Sequence, residues 1–176
     1  MRKTLLIGLS ILLLAVLATA GFRSMTSGER FTLASAPQIW ALNGSDDTTT
    51  VIDGNGWATT KWLICVGACD SNTAAIYDSF VLMEGDESDG SDLAAVTSTG
   101  LVYGSFLTSA TGTIAKVDTA SEGDQIYTIE YRNNAGKRYS AIKVVQTGNH
   151  SGSGDGTYLS IVAIRHFAET NGAADY

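Results

Sequence analysis

The feature that most restricts the fold of this chain is a succession of short runs of β-branched and aromatic residues that begins after Pro37. Clusters of Gly, Asn, Asp and Ser separate these runs, which is the pattern of strands joined by turns. The same region lacks apolar residues at helical spacing, so no long helix is expected in it. We therefore predict an all-β fold, an antiparallel β-sandwich or jelly-roll-like domain over residues 37–168. The candidate strands are residues 39–42, 48–52, 57–66, 76–84, 93–97, 101–108, 113–117, 125–132, 138–147 and 157–166.

The clearest single strand covers residues 125–132, in which alternate side chains share a face. This alternation places Tyr127, Ile129 and Tyr131 in the core. The next four residues have turn chemistry that tolerates positive φ, and another candidate strand, residues 138–147, follows them. The pattern predicts that these two strands pair as a hairpin.

The last run, residues 158–166, is apolar on both faces apart from Ser160. Strands of this kind lie in the centre of a sheet and are covered on both sides. We therefore expect a central strand here.

An uncharged, leucine-rich stretch occupies most of residues 1–22. Its basic start, apolar centre and small residues at 18–20 match a secretory signal peptide, with cleavage before Gly21. An uncleaved helix with residues 5–22 in the membrane is also long enough to cross a hydrocarbon core of about 30 Å. We predict one N-terminal hydrophobic helix that is a signal peptide or a membrane anchor. The third alternative, a buried core helix, is disfavoured because the stretch has no polar face.

Two further segments have no periodic pattern. Residues 23–36 are mostly small and polar, which predicts a linker or an arm that orders only on a partner. Residues 169–176 are predicted to be a flexible tail.

The charge balance excludes some functions. Eleven basic and 18 acidic residues give a formal net charge of −7 over 176 residues. An acidic protein of this kind has no general affinity for nucleic acid phosphates or anionic lipid surfaces. Its surface is better suited to docking on basic patches of other proteins.

The acidic loop over residues 84–92 contains five carboxylates and two glycines. Hard cations such as Ca²⁺ prefer oxygen ligands, so Asp86, Asp89 and Asp92 are weak candidate Ca²⁺ ligands. The spacing of an EF-hand is absent, and a solvated turn between two strands is the favoured interpretation. No other cofactor is expected.

Cys65 and Cys69 are candidate partners in a disulfide. On a straight strand their Cα atoms would lie about 13 Å apart, so a bridge requires a tight turn at Gly67. Export would make such a bridge chemically reasonable.

The sequence offers no catalytic constellation. His150 lies in a Gly- and Ser-rich segment, and His166 ends an apolar strand. A G-x-S-x-G motif and zinc-ligand spacing are both absent, so we expect no enzyme and assign no catalytic residue. Three tryptophans are candidate sugar platforms, although core packing is the commoner use of such residues: Trp40, Trp57 and Trp62.

Two stretches carry a resemblance to a known kind of protein. Residues 80–96 run from an apolar strand into the turn E-G-D-E-S-D-G-S-D-L-A-A-V. Residues 124–131 read D-Q-I-Y-T-I-E-Y, and residues 136–145 read G-K-R-Y-S-A-I-K-V-V. These patterns, together with the closing V-A-I-R-H, resemble small β-rich virion proteins of tailed bacteriophages. The resemblance covers residues 76–168 but neither the N-terminal apolar stretch nor the cysteine pair.

The resemblance implies particle building and not catalysis. The first hypothesis is a non-enzymatic virion subunit, a head decoration or minor capsid protein, that binds other subunits and forms a homo-oligomer. The alternative is an exported or membrane-anchored cell-surface β-domain, such as a filament subunit or adhesin, whose N-terminal arm adds a strand to a neighbour. The corresponding locations are the virion and, for the alternative, secretion or the cell envelope.

Overall fold

A computed structural model describes residues 29–40, 46–69, 76–104, 107–119, 122–148 and 157–168. The predicted N-terminal hydrophobic helix, the tail over 169–176 and His150 lie outside these residues. Within the described ranges, no helix has the length and apolar character needed to span a membrane. The strands are β1 (Glu29–Trp40), β2 (Asp46–Thr48), β3 (Ile52–Asp53), β4 (Trp57–Val66), β5 (Tyr77–Gly85), β6 (Ala94–Ala95), β7 (Val102–Tyr103), β8 (Thr113–Val117), β9 (Gln125–Arg132), β10 (Tyr139–Thr147) and β11 (Thr157–Ala168).

These strands form two antiparallel sheets. The five-stranded sheet has the order β1-β11-β4-β9-β7. In the six-stranded sheet the order is β2-β10-β5-β6, with β3 also paired to β10 and β8 also paired to β5. The predicted all-β class is confirmed.

One hydrophobic cluster joins the inward faces of the two sheets. From the five-stranded sheet it receives Trp62 and Ile161, and from the six-stranded sheet Phe80, Leu82 and Ile142. All five side chains are fully buried. Burial of apolar side chains on this scale is the main stabilising contribution to folding.

The predicted faces of β9 are confirmed. Ile129 and Tyr131 are buried, and Tyr127 packs against the core. The opposite face carries the exposed Thr128. The period of two in the sequence therefore identified the inward side of this strand correctly.

The predicted hairpin between β9 and β10 is wrong. β9 pairs with β4 and β7, whereas β10 pairs with β5, β2 and β3, so the connection passes from one sheet to the other. Each strand thereby gains neighbours on both sides. The turn also brings Lys137 to Tyr131, whose hydroxyl accepts a hydrogen bond from the Lys137 N–H at 2.6 Å. Turn chemistry indicated a reversal of the chain, but it carried no information about which sheet receives the next strand.

The predicted linker over residues 23–36 is wrong for residues 29–36, which belong to β1 and pair with β11. Residues 23–28 lie outside the described residues. Two register shifts interrupt the pairing, one between Leu33 and Ser35 and one between Ser35 and Gln38. Because each shift moves the following side chains to the other face, the sequence of β1 shows no simple alternation.

β11 lies between β1 and β4, which confirms its central position. Its core face carries Leu159, Ile161 and Ala163, which are buried. The other face is not fully covered, because Tyr158 is 50% exposed. On that outer face Ile164 is buried, so the prediction of cover on both faces holds for the core side and for part of the outer side.

Candidate functional site

The outer face of the five-stranded sheet carries an apolar strip across three strands. Phe31 and Leu33 of β1 lie opposite Ile164 and Val162 of β11, and Val162 lies opposite Leu63 of β4. Phe31 is 44% exposed and Leu33 is 56% exposed. We call these five residues the apolar strip. Its exposed members are Phe31 and Leu33, whereas Ile164 is buried, and neighbouring exposed apolar side chains commonly mark an interaction site.

The hydrogen bonds of β11 show which of its residues direct their backbone N–H and C=O groups towards β4 and which towards β1. Tyr158 accepts a hydrogen bond from Gly67 N at 2.8 Å and donates one to Ala68 O at 3.1 Å. The backbone groups of Tyr158 therefore point towards β4. In an antiparallel ladder this direction alternates from residue to residue, so Ala163 points towards β1.

The edge of β1 follows from the same alternation. Ala163 is paired with Thr32, so Thr32 uses its backbone groups within the sheet. The N–H and C=O groups of Phe31 and Leu33 then point away from β11. No other strand among the described residues pairs with β1 on that side. The free edge ends at Ala34, whose carbonyl accepts a hydrogen bond from Thr50 N at 3.1 Å.

Backbone edge and side chains therefore coincide at the same two residues. Phe31 and Leu33 present main-chain groups that no described strand pairs with, in the plane of the sheet, and apolar side chains on its outer face. An added β-strand would form hydrogen bonds with these main-chain groups and would also cover the apolar side chains, whereas a small polar ligand would leave the side chains uncovered. We take this edge and the apolar strip together as the candidate site.

The candidate disulfide is not formed. Cys65 lies on the outer face of β4, whereas Cys69 is buried in the core with its Sγ 3.4 Å from Thr119 O. The hydrogen bonds of Gly67 and Ala68 to Tyr158 continue the strand pairing beyond Val66. This segment is therefore extended, and the tight turn that a bridge requires is absent.

The three candidate Ca²⁺ ligands of the acidic loop form hydrogen bonds or an ion pair with other groups of the same chain. Asp92 accepts hydrogen bonds from Asp86 N at 2.7 Å and from Glu87 N at 3.0 Å. Asp89 accepts one from Ser91 N at 2.9 Å. These backbone N–H groups hold the pKa values of Asp92 and Asp89 below the usual range. The third Ca²⁺ candidate, Asp86, forms an ion pair with Lys137.

The remaining residues that the sequence suggested as metal ligands or sugar platforms do not come together in one site among the described residues. No cluster of three or more His, Cys, Asp or Glu side chains suited to a metal ion occurs among the described residues. Trp62 is fully buried in the core, so it offers no platform for a sugar. Trp57 lies under the Arg165 guanidinium, and the side chain of Trp40 lies outside the described residues. His166 Nδ1 is 3.1 Å from Glu29 Oε1.

The sequence interpretation missed Phe31 and Leu33. A signal for them exists in the order F-T-L, a short apolar alternation at residues 31–33. It was hidden by the small polar residues around it. The closing strand carried the second signal, because a run that is apolar on both faces requires cover for each of them.

Comparison with known proteins adds no further assignment. No protein-family model matches the sequence, and a search of curated proteins gives no significant match.

Proposed function

We propose that this protein is a non-enzymatic structural subunit of a viral particle, a capsid-associated decoration or minor capsid protein. In this proposal the two sheets form a β-sandwich of the jelly-roll-like kind, and the domain acts by protein–protein assembly. The resemblance of residues 76–168 to small virion proteins supports the viral setting. The assembly role rests on one observation, the edge of β1 that pairs with no other described strand and carries the exposed end of the apolar strip.

The edge suits a second copy of the same chain. Two copies related by a twofold axis bring their β1 strands together antiparallel. Pairing centred on Thr32 places Phe31 opposite Leu33 of the second copy, and the reverse. This register forms about four main-chain hydrogen bonds and two apolar cross-strand pairs. Homo-oligomerisation through β1 is therefore the form of assembly that we propose.

The alternative is an exported or membrane-anchored cell-surface β-domain, such as a filament subunit or adhesin. Its support is the apolar stretch within residues 5–22, which in this case is removed as a signal peptide or inserts in a membrane. Both functions use the same β1 edge, so the location of the protein distinguishes them.

The first experiment tests assembly. We expect Leu33→Lys to lower the oligomeric state of the full-length protein, measured by light scattering after size-exclusion chromatography. The added charge faces the second copy, and the exposed position tolerates it in the monomer. Ile126→Lys is the matched control, because Ile126 is exposed on the same outer face but lies on β9, away from the edge. An unchanged oligomer in Leu33→Lys would refute assembly through β1.

The second experiment tests location. Mass spectrometry of purified particles is expected to find the protein together with a major capsid protein. Recovery only from the cell envelope or the secreted fraction would reject the virion role and favour the alternative. A peptide that begins at Gly21 would identify cleavage of the N-terminal segment.

A further inference from the structure

A shallow depression lies at the opposite side of the same outer face, between β4, β9 and β7. Its volume is about 670 Å³. Thr59 of β4 is paired with Arg132 of β9, and Glu130 of β9 is paired with Tyr103 of β7. The register therefore places these four side chains around one hollow, which Asn134 of the following turn completes. The small side chains of two lining alanines leave the space open.

Two polar atoms at this depression are buried without a hydrogen-bond partner among the described residues. Thr59 is only 7% exposed, and within the same residues its Oγ1 has no partner. Arg132 Nε is also buried and unpartnered. An unsatisfied buried polar group is costly, and native proteins pair almost all of them. Neither atom is exposed at the surface of the depression, so a bound molecule would satisfy them after the Thr59 and Arg132 side chains turn towards it.

The aromatic ring of Tyr103 provides the apolar part of the depression. Tyr103 is 51% exposed. The Arg132 guanidinium lies 4.1 Å from the ring centroid, a cation–π contact that orients the arginine. None of the ion pairs among the described residues involves Arg132. Its charge at the edge of the ring is therefore not neutralised by an ion pair within the described residues.

The chemistry of the lining selects one class of ligand. Arg132 Nε–H needs an acceptor, and the Glu130 carboxylate needs a donor. A simple anion matches the arginine but is repelled by Glu130, and an apolar molecule leaves the buried Thr59 hydroxyl unpaired. Hydroxyl groups both donate and accept, and the C–H face of a sugar ring packs on an aromatic or alanine surface. We propose that this depression binds a carbohydrate ring.

This proposal goes beyond assembly and does not depend on it. β11 lies between β1 and the strands that line the depression, so one domain has room for both contacts. In either proposed setting, a carbohydrate site would attach the assembled protein to a glycan-bearing surface.

The test is a titration of the full-length protein with glucose, galactose, mannose and N-acetylglucosamine, followed by saturation-transfer NMR. We expect at least one of these sugars to bind with a dissociation constant of about 1 mM. Thr59→Val should weaken that binding about tenfold, because valine keeps the shape and removes the hydroxyl. The same variant should unfold at an unchanged or higher urea concentration, since the hydroxyl has no protein partner. Tyr103→Ala should also weaken binding, whereas the control Ile126→Lys should not.

Three results would overturn the proposal. The first is that none of the four sugars binds. The second is that a sugar binds equally well to the wild type and to the Thr59→Val and Tyr103→Ala variants. The third is that inorganic phosphate binds with the same sensitivity to these two substitutions while the sugars do not, which would identify an anion site. None of these outcomes bears on assembly, which is measured separately with Leu33→Lys.

Discussion

Replacing Tyr131 with phenylalanine would remove a single hydroxyl that links the two sheets. Tyr131 belongs to the five-stranded sheet and is fully buried. Its hydroxyl donates a hydrogen bond to Glu84 Oε2 of the six-stranded sheet at 2.5 Å and accepts one from Lys137 N at 2.6 Å. Burial, with a further contribution from Glu84, raises the pKa of this hydroxyl above its ordinary value of 10, so it stays protonated and donates at alkaline as well as neutral pH.

The expected loss of stability follows from these bonds. Phenylalanine keeps the ring in the core but leaves the Lys137 N–H, at 3.3 Å, as the one remaining donor to Glu84 Oε2 within the described residues. Hydrogen bonds to charged groups contribute about 1.5–3 kcal/mol, so we expect Tyr131→Phe to lower the free energy of unfolding by about 2–3 kcal/mol. Tyr131→Ala also leaves a cavity, and its total cost should be about 3 kcal/mol or more.

Equilibrium unfolding in urea, followed by tryptophan fluorescence, to which the buried Trp62 contributes, measures both effects. Tyr158→Phe is the matched control, because Tyr158 is half-exposed on the outer face. Equal free energies of unfolding for Tyr131→Phe and Tyr158→Phe would show that the Tyr131 hydroxyl does not stabilise the contact between the sheets. Equal losses for Tyr131→Phe and Tyr131→Ala would show instead that the ring contributes nothing by packing.

Three further predictions concern other parts of the fold. Gly136→Ala should lower stability by about 2 kcal/mol in the same assay, because the new Cβ would lie 2.0 Å from Tyr131 Oη; an unaltered midpoint would contradict this. Iodoacetamide should label Cys65 in the native protein and Cys69 only after unfolding, as read by mass spectrometry, and native labelling of both would contradict the burial of Cys69. The folded-state pKa of Asp92 is lowered, so acid should destabilise the protein. The stability that ionised Asp92 contributes is fully present above its unfolded-state pKa of 3.8 and is lost as the pH falls through its lower folded-state pKa. Urea unfolding of Asp92→Asn between about pH 4 and pH 2 should show a weaker pH dependence than the wild type, and an equal dependence would contradict this assignment.

Much of the secondary structure could be predicted from the sequence, because it depends on interactions between residues that are neighbours in the chain. The predicted bounds of β4, β8 and β9 agree with the structure residue for residue. Alternation along β9 also identified Tyr131 as a core residue. These properties depend on neighbours in the chain, because the pleat of a strand sends successive side chains to opposite faces.

Pairing between strands was decided only in the tertiary structure. β9 and β10 adjoin in sequence but belong to different sheets, since each gains partners from distant parts of the chain. β1 was unrecognisable because its two register shifts break the alternation, and these shifts have meaning only against β11.

The candidate site depends wholly on such distant pairing. Phe31 and Leu33 become a free edge because β11 occupies one side of β1, and Thr59 and Arg132 become neighbours because β4 lies beside β9. The composition of the chain and the spacing of its apolar residues were enough to predict strands that bury one apolar face. The choice of edge and surface required the three-dimensional order of the strands, because hydrogen bonds between strands join residues that the sequence places far apart.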